Sequence, residues 1–310
     1  MTPEAITVTS RPLVPEIKPG LRKGVFAFIE LLKLRMTFHI LITVFIGFYM
    51  ASPQEISWGI LAWTLLGSGL LAASSFCLNQ AMEKDFDGAM ERTQRRPLPT
   101  ERVSVFTAYA AGVVTCLGGA ALLWQKTNVL TALIGVLIVA LYAGVYTPMK
   151  RLTTLNTLVG AVPGALPPLM GWTAAQNHIG VGGMALFVLL FFWQLPHFLA
   201  LAWMYRDDYR RGGFKMLSLV DASGEACFRQ IQLQSLLLLL VSLFPYWYGL
   251  AGISYLLTAL LLGIAALYLA RALNRCGTRQ AATRLFLFSI FYLPTVLIAM
   301  ALDKRILFVG

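Results

Sequence analysis

Charge is scarce in this chain. Only 14 of its 310 residues are Asp or Glu and 25 are Lys or Arg, which makes 13% charged against 58% hydrophobic. A soluble domain carries about 25% charged residues, so the deficit excludes a water-soluble globular protein. With a mean hydropathy of +0.71, the chain reads as an all-α integral membrane protein, one bundle of helices. Cysteine is sparse as well. Cys77, Cys116, Cys227 and Cys276 form no CxxC and no paired spacing. That argues against a disulfide framework and a thiolate metal centre and leaves buried or semi-buried thiols. No soluble linker, low-complexity segment or obvious repeat interrupts the sequence. The polar N-terminal segment, residues 1–28, carries acids and looks like neither a cleavable signal nor an Arg-rich transit peptide. The net charge of +11 suggests nucleic acid at first, but the basic residues sit in short loops between apolar spans. There they set topology and meet anionic lipid, so the expected partner is the bilayer and not a nucleic acid.

What is present is a series of about nine apolar segments, each near the ~20 residues that a span requires. They run at 37–52, 57–80, 104–124, 129–147, 155–174, 181–204, 231–250, 252–271 and 284–302. Together they make a transmembrane domain over residues 29–303, followed by a short tail at 304–310. Pro163, Gly164, Pro167, Pro168 and Gly171 fall inside one span, which membrane helices tolerate where neighbours satisfy the backbone. With the N-terminus inside, every Lys and Arg except Lys126, Lys304 and Arg305 falls on the inner side. This is the asymmetry of the positive-inside rule. It puts the polar loops at 81–103, 148–154 and 205–230 together on the cytoplasmic face.

The rare acids concentrate in the first of these loops, as Glu83, Asp85, Asp87 and Glu91. Asn79, Glu83 and Asp87 are spaced i, i+4, i+8, so a helix would carry them on one face about 6 Å apart, with Asp85 turned away. Two carboxylates and an amide suit Mg²⁺, which takes oxygen ligands and shares them with phosphate and water. Arg92, Arg95 and Arg96 follow, with the fork geometry that binds phosphate oxygens. An interfacial loop of solvated charges is the plainer reading. The acids continue in register from the end of an apolar span, and that favours a metal–phosphate site. In the third loop Tyr205, Asp208 and Tyr209 would complete this site or hold a second cation, or else be interfacial charges with belt tyrosines. Two turns inside the preceding span lies His197, with Trp193 before it. An intramembrane ionisable residue defaults to a functional reading, as an iron ligand or a polarising group, against a satisfied core histidine. His39 and His178 read as structural. In the middle loop, Lys150 and Arg151 would clamp a diphosphate or simply obey the charge rule. The ring faces of Tyr142 and Tyr146 would stabilise a carbocation or pack at the interface.

These residues carry a resemblance. Asn79, Asp85, Asp87, Met90, Arg92, Thr93, Arg96, Pro97 and Leu98 match the first motif of the UbiA-type intramembrane prenyltransferases. Tyr146, Thr147, Lys150, Arg151, Thr153 and Asn156 match a second, with Gly164, Ala165, Pro167, Pro168, Gly171 and Trp172 after it. Trp193, Gln194, Pro196, His197, Phe198, Asp208, Tyr209, Met216 and Leu217 match a third, and Glu30, Lys33, Arg35 and Thr37 echo an early element. The Pro-His-Phe element and the Arg-Thr-x-x-Arg-Pro-Leu tail resemble the haem O synthase (protohaem IX farnesyltransferase) branch. Glu83 stands where that family has Asp, Leu34 replaces an early Pro, and Lys215 and Ser218 replace prolines.

The resemblance implies a UbiA-like bundle in a bacterial inner membrane. It implies transfer of farnesyl from farnesyl diphosphate to the 2-vinyl group of haem B, with addition of water, giving haem O and diphosphate. One or two Mg²⁺ ions would be held by Asn79, Glu83, Asp87 and Asp208, with Asp85 in reserve, and Tyr146 would join the catalytic set. Arg92, Arg96, Lys150 and Arg151 would bind diphosphate, while Trp193 and His197 would contact haem. A downstream haem-modifying or oxidase-assembly protein is the implied protein partner. The rival readings are a prenyltransferase for a quinone or aromatic acid, a CDP-alcohol phosphatidyltransferase, whose second acidic motif is missing here, and a multi-span transporter.

Overall fold

The computed structural model describes residues 21–52 and 55–305, and the expected polar N-terminal segment (1–28) and short tail (304–310) fall largely outside them. Long helices dominate: α1 (Leu21–Leu31), α2 (Leu34–Ala51), α3 (Trp58–Met82), a short α4 (Lys84–Ala89), α5 (Val105–Lys126) and α6 (Val129–Val139). A π-helical turn, Ala140–Tyr146, links α6 to α7 (Thr147–Leu152). Then follow α8 (Asn156–Gln176), α9 (Val181–Met204), α10 (Arg206–Arg211), α11 (Glu225–Ser242), α12 (Phe244–Trp247), α13 (Ile253–Cys276) and α14 (Arg279–Leu302).

Among the described residues, eight helical stretches are long and apolar enough to cross a membrane. The remaining expected span, the fifth (155–174), is α8, whose prolines and glycines dilute its apolarity. It is covered by protein instead, with Ala161, Pro163 and every residue from Ala165 to Ala174 buried. A helix shielded by its neighbours does not have to be lipid-like. Its closest approach is to α2. A Cβ on Gly47 would strike the carbonyl of Pro168, and one on Gly171 would strike that of Val44, so two glycines let the backbones touch, as small residues do in membrane bundles.

Most span ends agree with expectation. The seventh does not, because α11 begins at Glu225 and not near 231. Its first turn is capped. The Asp221 carboxylate accepts the N–H groups of Ala226, at 3.1 Å, and of Gly224. Those bonds, the Ala226 N–H foremost, hold its carboxyl below the ordinary carboxylate range. The same helix ends early, at Ser242, where Pro245 opens α12.

The three polar loops meet at one end of the bundle. The Lys215 N–H donates to the Lys150 carbonyl at 2.7 Å, and Asn156 Nδ2 donates to the Lys215 carbonyl at 2.7 Å. The Glu91 N–H donates to Asp208 Oδ1 at 3.0 Å. At the opposite end Lys304 Nζ donates to the carbonyls of Tyr49 and Ser52, closing the C-terminal end of α2, and Asp303 Oδ2 accepts the Tyr255 N–H.

The α2–α8 contact yields a stability test. Gly47→Ala or Gly171→Ala should cost about 1–3 kcal/mol through overpacking, seen as a lower Tm in detergent. Gly118→Ala, where an added Cβ meets nothing within 4 Å, should leave Tm unchanged or slightly raised. Equal effects at all three positions would refute the close crossing.

Candidate active site

The loop end of the bundle encloses a cavity of about 140 Å³ lined by Lys33, Asn79, Glu83, Asp87, Arg92, Arg96, Tyr142, Tyr146 and Lys150, with Met90, Tyr209, Phe214 and Met216. Its acidic wall is the i, i+4, i+8 set. The helix breaks at Glu83, between α3 and α4, yet the bonds from the Glu83 N–H to the Asn79 carbonyl (3.0 Å) and from the Asp87 N–H to the Glu83 carbonyl (2.8 Å) carry the register across. All three side chains are therefore delivered to one face, and all three are buried.

Each carboxylate meets a cation from another segment. Arg96 Nη1 donates to both oxygens of Asp87, at 2.9 and 2.7 Å. Lys150 Nζ donates to Glu83 Oε2 at 3.2 Å and lies 2.8 Å from Oε1 at an angle unsuited to a hydrogen bond. Glu83 Oε1 is thus a buried oxygen that no donor among the described residues satisfies, although it is ion-paired. Lys33 and Arg92 form no ion pair among the described residues; Lys33 stands over the Phe76 ring, and Arg92 lies 5.3 and 5.9 Å above the Tyr205 and Tyr209 rings. Four cations against two acids leave the cavity with a formal excess of two positive charges. That is the electrostatics of a site for a multiply charged anion.

The aromatic wall comes from the π-helical turn. Tyr142 and Tyr146 have ring centroids 5.4 Å apart, and Lys150 Nζ sits 4.6 Å above the Tyr146 ring. Gly160 of α8 makes room, since a Cβ there would come within 2.6 Å of that ring. π-Turns often occur at functional sites; this one offsets Tyr146 and Thr147 from the course of α6.

Of the residues singled out from the sequence, Asn79, Glu83, Asp87, Arg92, Arg96, Tyr146 and Lys150 come together here. Asp85 is exposed and does not line the cavity. Arg151 is exposed too, stacked over Phe86. Asp208 is buried but faces elsewhere, accepting the Glu91 N–H and Arg211 Nη2, the latter at 2.5 Å, so that it ties α10 to the first loop. Lys33 is the cavity cation that the charge pattern alone did not single out. It occupies a left-handed turn (φ 48°) between α1 and α2, and its sequence signal lies in the early Glu-Lys-Arg-Thr element.

His197 and Trp193 lie on the face of α9 toward α14 and do not line this cavity. Trp193 Nε1 donates to the Ser289 carbonyl at 2.8 Å, and His197 Nδ1 lies 2.7 Å from Ser289 Oγ. Ser289 spends its hydroxyl proton on the Phe286 carbonyl, at 2.6 Å. Nδ1 must therefore be the donor, and Nε2 keeps its lone pair, with no protein partner among the described residues.

The pattern of the UbiA prenyltransferase family matches residues 40–293 of the chain. This protein belongs to that family. A curated relative from Solibacter usitatus (strain Ellin6076), named protoheme IX farnesyltransferase, is 40% identical over 286 residues, covering 89% of this chain and 98% of its own length. One of the same name from Koribacter versatilis (strain Ellin345) is 35% identical, over 97% of this chain and 99% of its own. The fold is also that of a solved UbiA homologue from Archaeoglobus fulgidus, bound to GPP and Mg²⁺ (TM-score 0.63, 14% identity, 89% of this chain and 99% of that one).

As a UbiA-family cavity the site can be tested for its cation. No three His, Cys, Asp or Glu side chains converge on one point among the described residues. A hard dication there would need an amide and ligand oxygens beside Glu83 and Asp87, which suits Mg²⁺. The unsatisfied Glu83 Oε1 fits that role. Asp87→Ala should weaken Mn²⁺ binding, measured with inorganic diphosphate present, by about tenfold or more, whereas Asp85→Ala should change it less than about threefold. The reverse order would place the ion on the other side of α4.

Proposed function

We propose that this protein is a protohaem IX farnesyltransferase, joining farnesyl diphosphate to the 2-vinyl group of haem B with addition of water to give haem O and diphosphate. One observation carries the reading: a cavity with two buried carboxylates, an amide and four cations, in a chain 40% identical to a relative of that name over 98% of the relative's length.

Asn79, Glu83 and Asp87 would hold Mg²⁺. When bound, the ion neutralises the diphosphate and makes it a better leaving group. The charge balance favours a single ion: a diphosphate ester carries about three negative charges, the cavity's excess is two positive ones, and Asp208 is engaged elsewhere. Lys33, Arg92, Arg96 and Lys150 would hold the diphosphate oxygens, worth most in a site without bulk water. The diphosphate leaves with the electrons of its C–O bond. The allylic cation that remains faces the rings of Tyr142 and Tyr146. The vinyl π electrons form the new C–C bond, water adds to the cation left on the porphyrin side chain, and its proton is lost. His197, with its Nε2 lone pair exposed by the bond to Ser289, would contact the haem, and Trp193 would fix that face. Orientation follows the charge bias, with the N-terminus and the active-site loops cytoplasmic in a bacterial inner membrane. The consumer of the product would be a haem-modifying or oxidase-assembly protein. The acids and cations gather at one end of the helices and not at mid-span, an arrangement poorly suited to a transporter.

Purified protein supplied with farnesyl diphosphate, haem B and Mg²⁺ should yield haem O by mass. 4-Hydroxybenzoate in place of haem should yield nothing. Prenylated benzoate without haem O would sink the acceptor assignment. His197→Ala should weaken haem binding and alter the haem absorption spectrum. An unchanged spectrum and affinity would remove His197 from the haem site.

A further inference from the structure

Thr147 carries no charge and touches neither carboxylate, yet it is 3% exposed at the edge of the cavity and bonded on both sides. Its Oγ1 donates to the Tyr142 carbonyl at 2.9 Å, and Asn79 Nδ2 donates to Oγ1 at 3.0 Å. The first bond depends on the π-helical turn. In a regular helix a threonine hydroxyl reaches the carbonyl three or four residues back. Here the wider turn brings the carbonyl five residues back, which also accepts the Thr147 N–H.

A hydroxyl has one proton. Spent on Tyr142, it leaves Oγ1 able only to accept. The group facing it must then be the amide NH₂ of Asn79, because the flipped amide would bury two acceptor oxygens 3.0 Å apart with no proton between them. Asn79 Oδ1 is thereby turned the other way, toward the cavity it lines with Glu83 and Asp87, and no protein donor among the described residues bonds to it. A buried asparagine without this clamp would fit almost equally well with its NH₂ in the cavity, where its hydrogens would repel a cation.

We infer that Thr147 is a positioning residue that sets the orientation of the Asn79 amide, so that its oxygen and not its nitrogen is offered to the divalent cation. The relay runs from the Tyr142 carbonyl through the Thr147 hydroxyl to the Asn79 amide. This inference rests on the reading of Asn79 as a cation ligand, and the experiment separates the two.

The test uses full-length protein in detergent and measures Mn²⁺ binding by the electron paramagnetic resonance of the free ion, with inorganic diphosphate present. Asn79→Ala should weaken binding about tenfold or more, and Thr147→Val by a comparable factor, since outer partners of metal ligands commonly contribute ~10–100-fold. Thr147→Ser keeps the hydroxyl and should bind like the native protein. The deciding arm is Asn79→Asp, whose two carboxylate oxygens are equivalent and need no orienting. In that background, adding Thr147→Val should change Mn²⁺ affinity by less than about twofold. The metal-free Tm of each variant reports folding, and Thr147→Ala supplies the same contrast if the valine variant is unstable. Native-like binding by Thr147→Val beside weak binding by Asn79→Ala overturns the role of Thr147 and leaves Asn79 a ligand. An equal loss from Thr147→Val in both backgrounds also overturns it, because a packing defect does not depend on the amide. Native-like binding by Asn79→Ala overturns the ligand reading, and the inference with it.

Discussion

Two carboxylates buried at the end of an apolar bundle set the terms for the rest of the structure. A buried carboxylate without a partner costs several kcal/mol, so Glu83 and Asp87 oblige the chain to bring cations to them from elsewhere in the sequence. Arg96 arrives from the loop after α4, which folds back on itself as the Thr93 hydroxyl bonds the Asp87 carbonyl at 2.8 Å. Lys150 arrives from α7, whose position depends on the π-helical turn and on the space left by Gly160. Replacing such pairs by apolar residues would often stabilise a protein. Their presence in a chain with so few acids is therefore an argument for chemistry and not for stability.

The spans were legible because bilayer thickness dictates the length of an apolar run, and most helix ends fall within a few residues of those runs. Legibility failed where helix formation and apolarity part company. The first turns of α11 hold Glu225, Arg229 and Gln230, polar residues that a hydropathy argument leaves in the loop, yet the Asp221 cap starts the helix with them. The π-helical turn has little local signature beyond Pro148, which lacks the N–H that a regular helix would direct at Gly144. It is a tertiary feature, set by how α7 and α8 pack.

The site divides in the same way. The spacing of Asn79, Glu83 and Asp87 was readable because three residues on one helical face stay together even where the helix is interrupted. Asp85, Arg151 and Asp208 show what spacing does not convey. A charge in a polar loop has a sequence position but no direction, and these three turn outward or toward another loop. Lys33 is the converse case. Its entry into the cavity depends on a left-handed turn at a non-glycine residue, a conformation that no periodicity forecasts.

The charge balance of the cavity links its ion pairs to the proposed ligand. Lys150 and Arg96 neutralise Glu83 and Asp87, so the bundle end holds its carboxylates at little cost in unpaired charge. In the proposed reaction an incoming diphosphate with its dication would take both halves of each pair, the cations going to phosphate oxygens and the acids to the metal. Glu83, Asp87, Arg96 and Lys150 would then each keep a counter-charge throughout the exchange. Lys33 and Arg92, which pair with no acid among the described residues, supply the positive excess that favours this exchange over the self-paired state. A dication alone would have to displace Lys150 and Arg96 into a cavity already too positive, whereas a dication carried on a diphosphate relieves that excess. In the proposed reaction the charge balance of the cavity thus favours the metal and the leaving group entering as one unit.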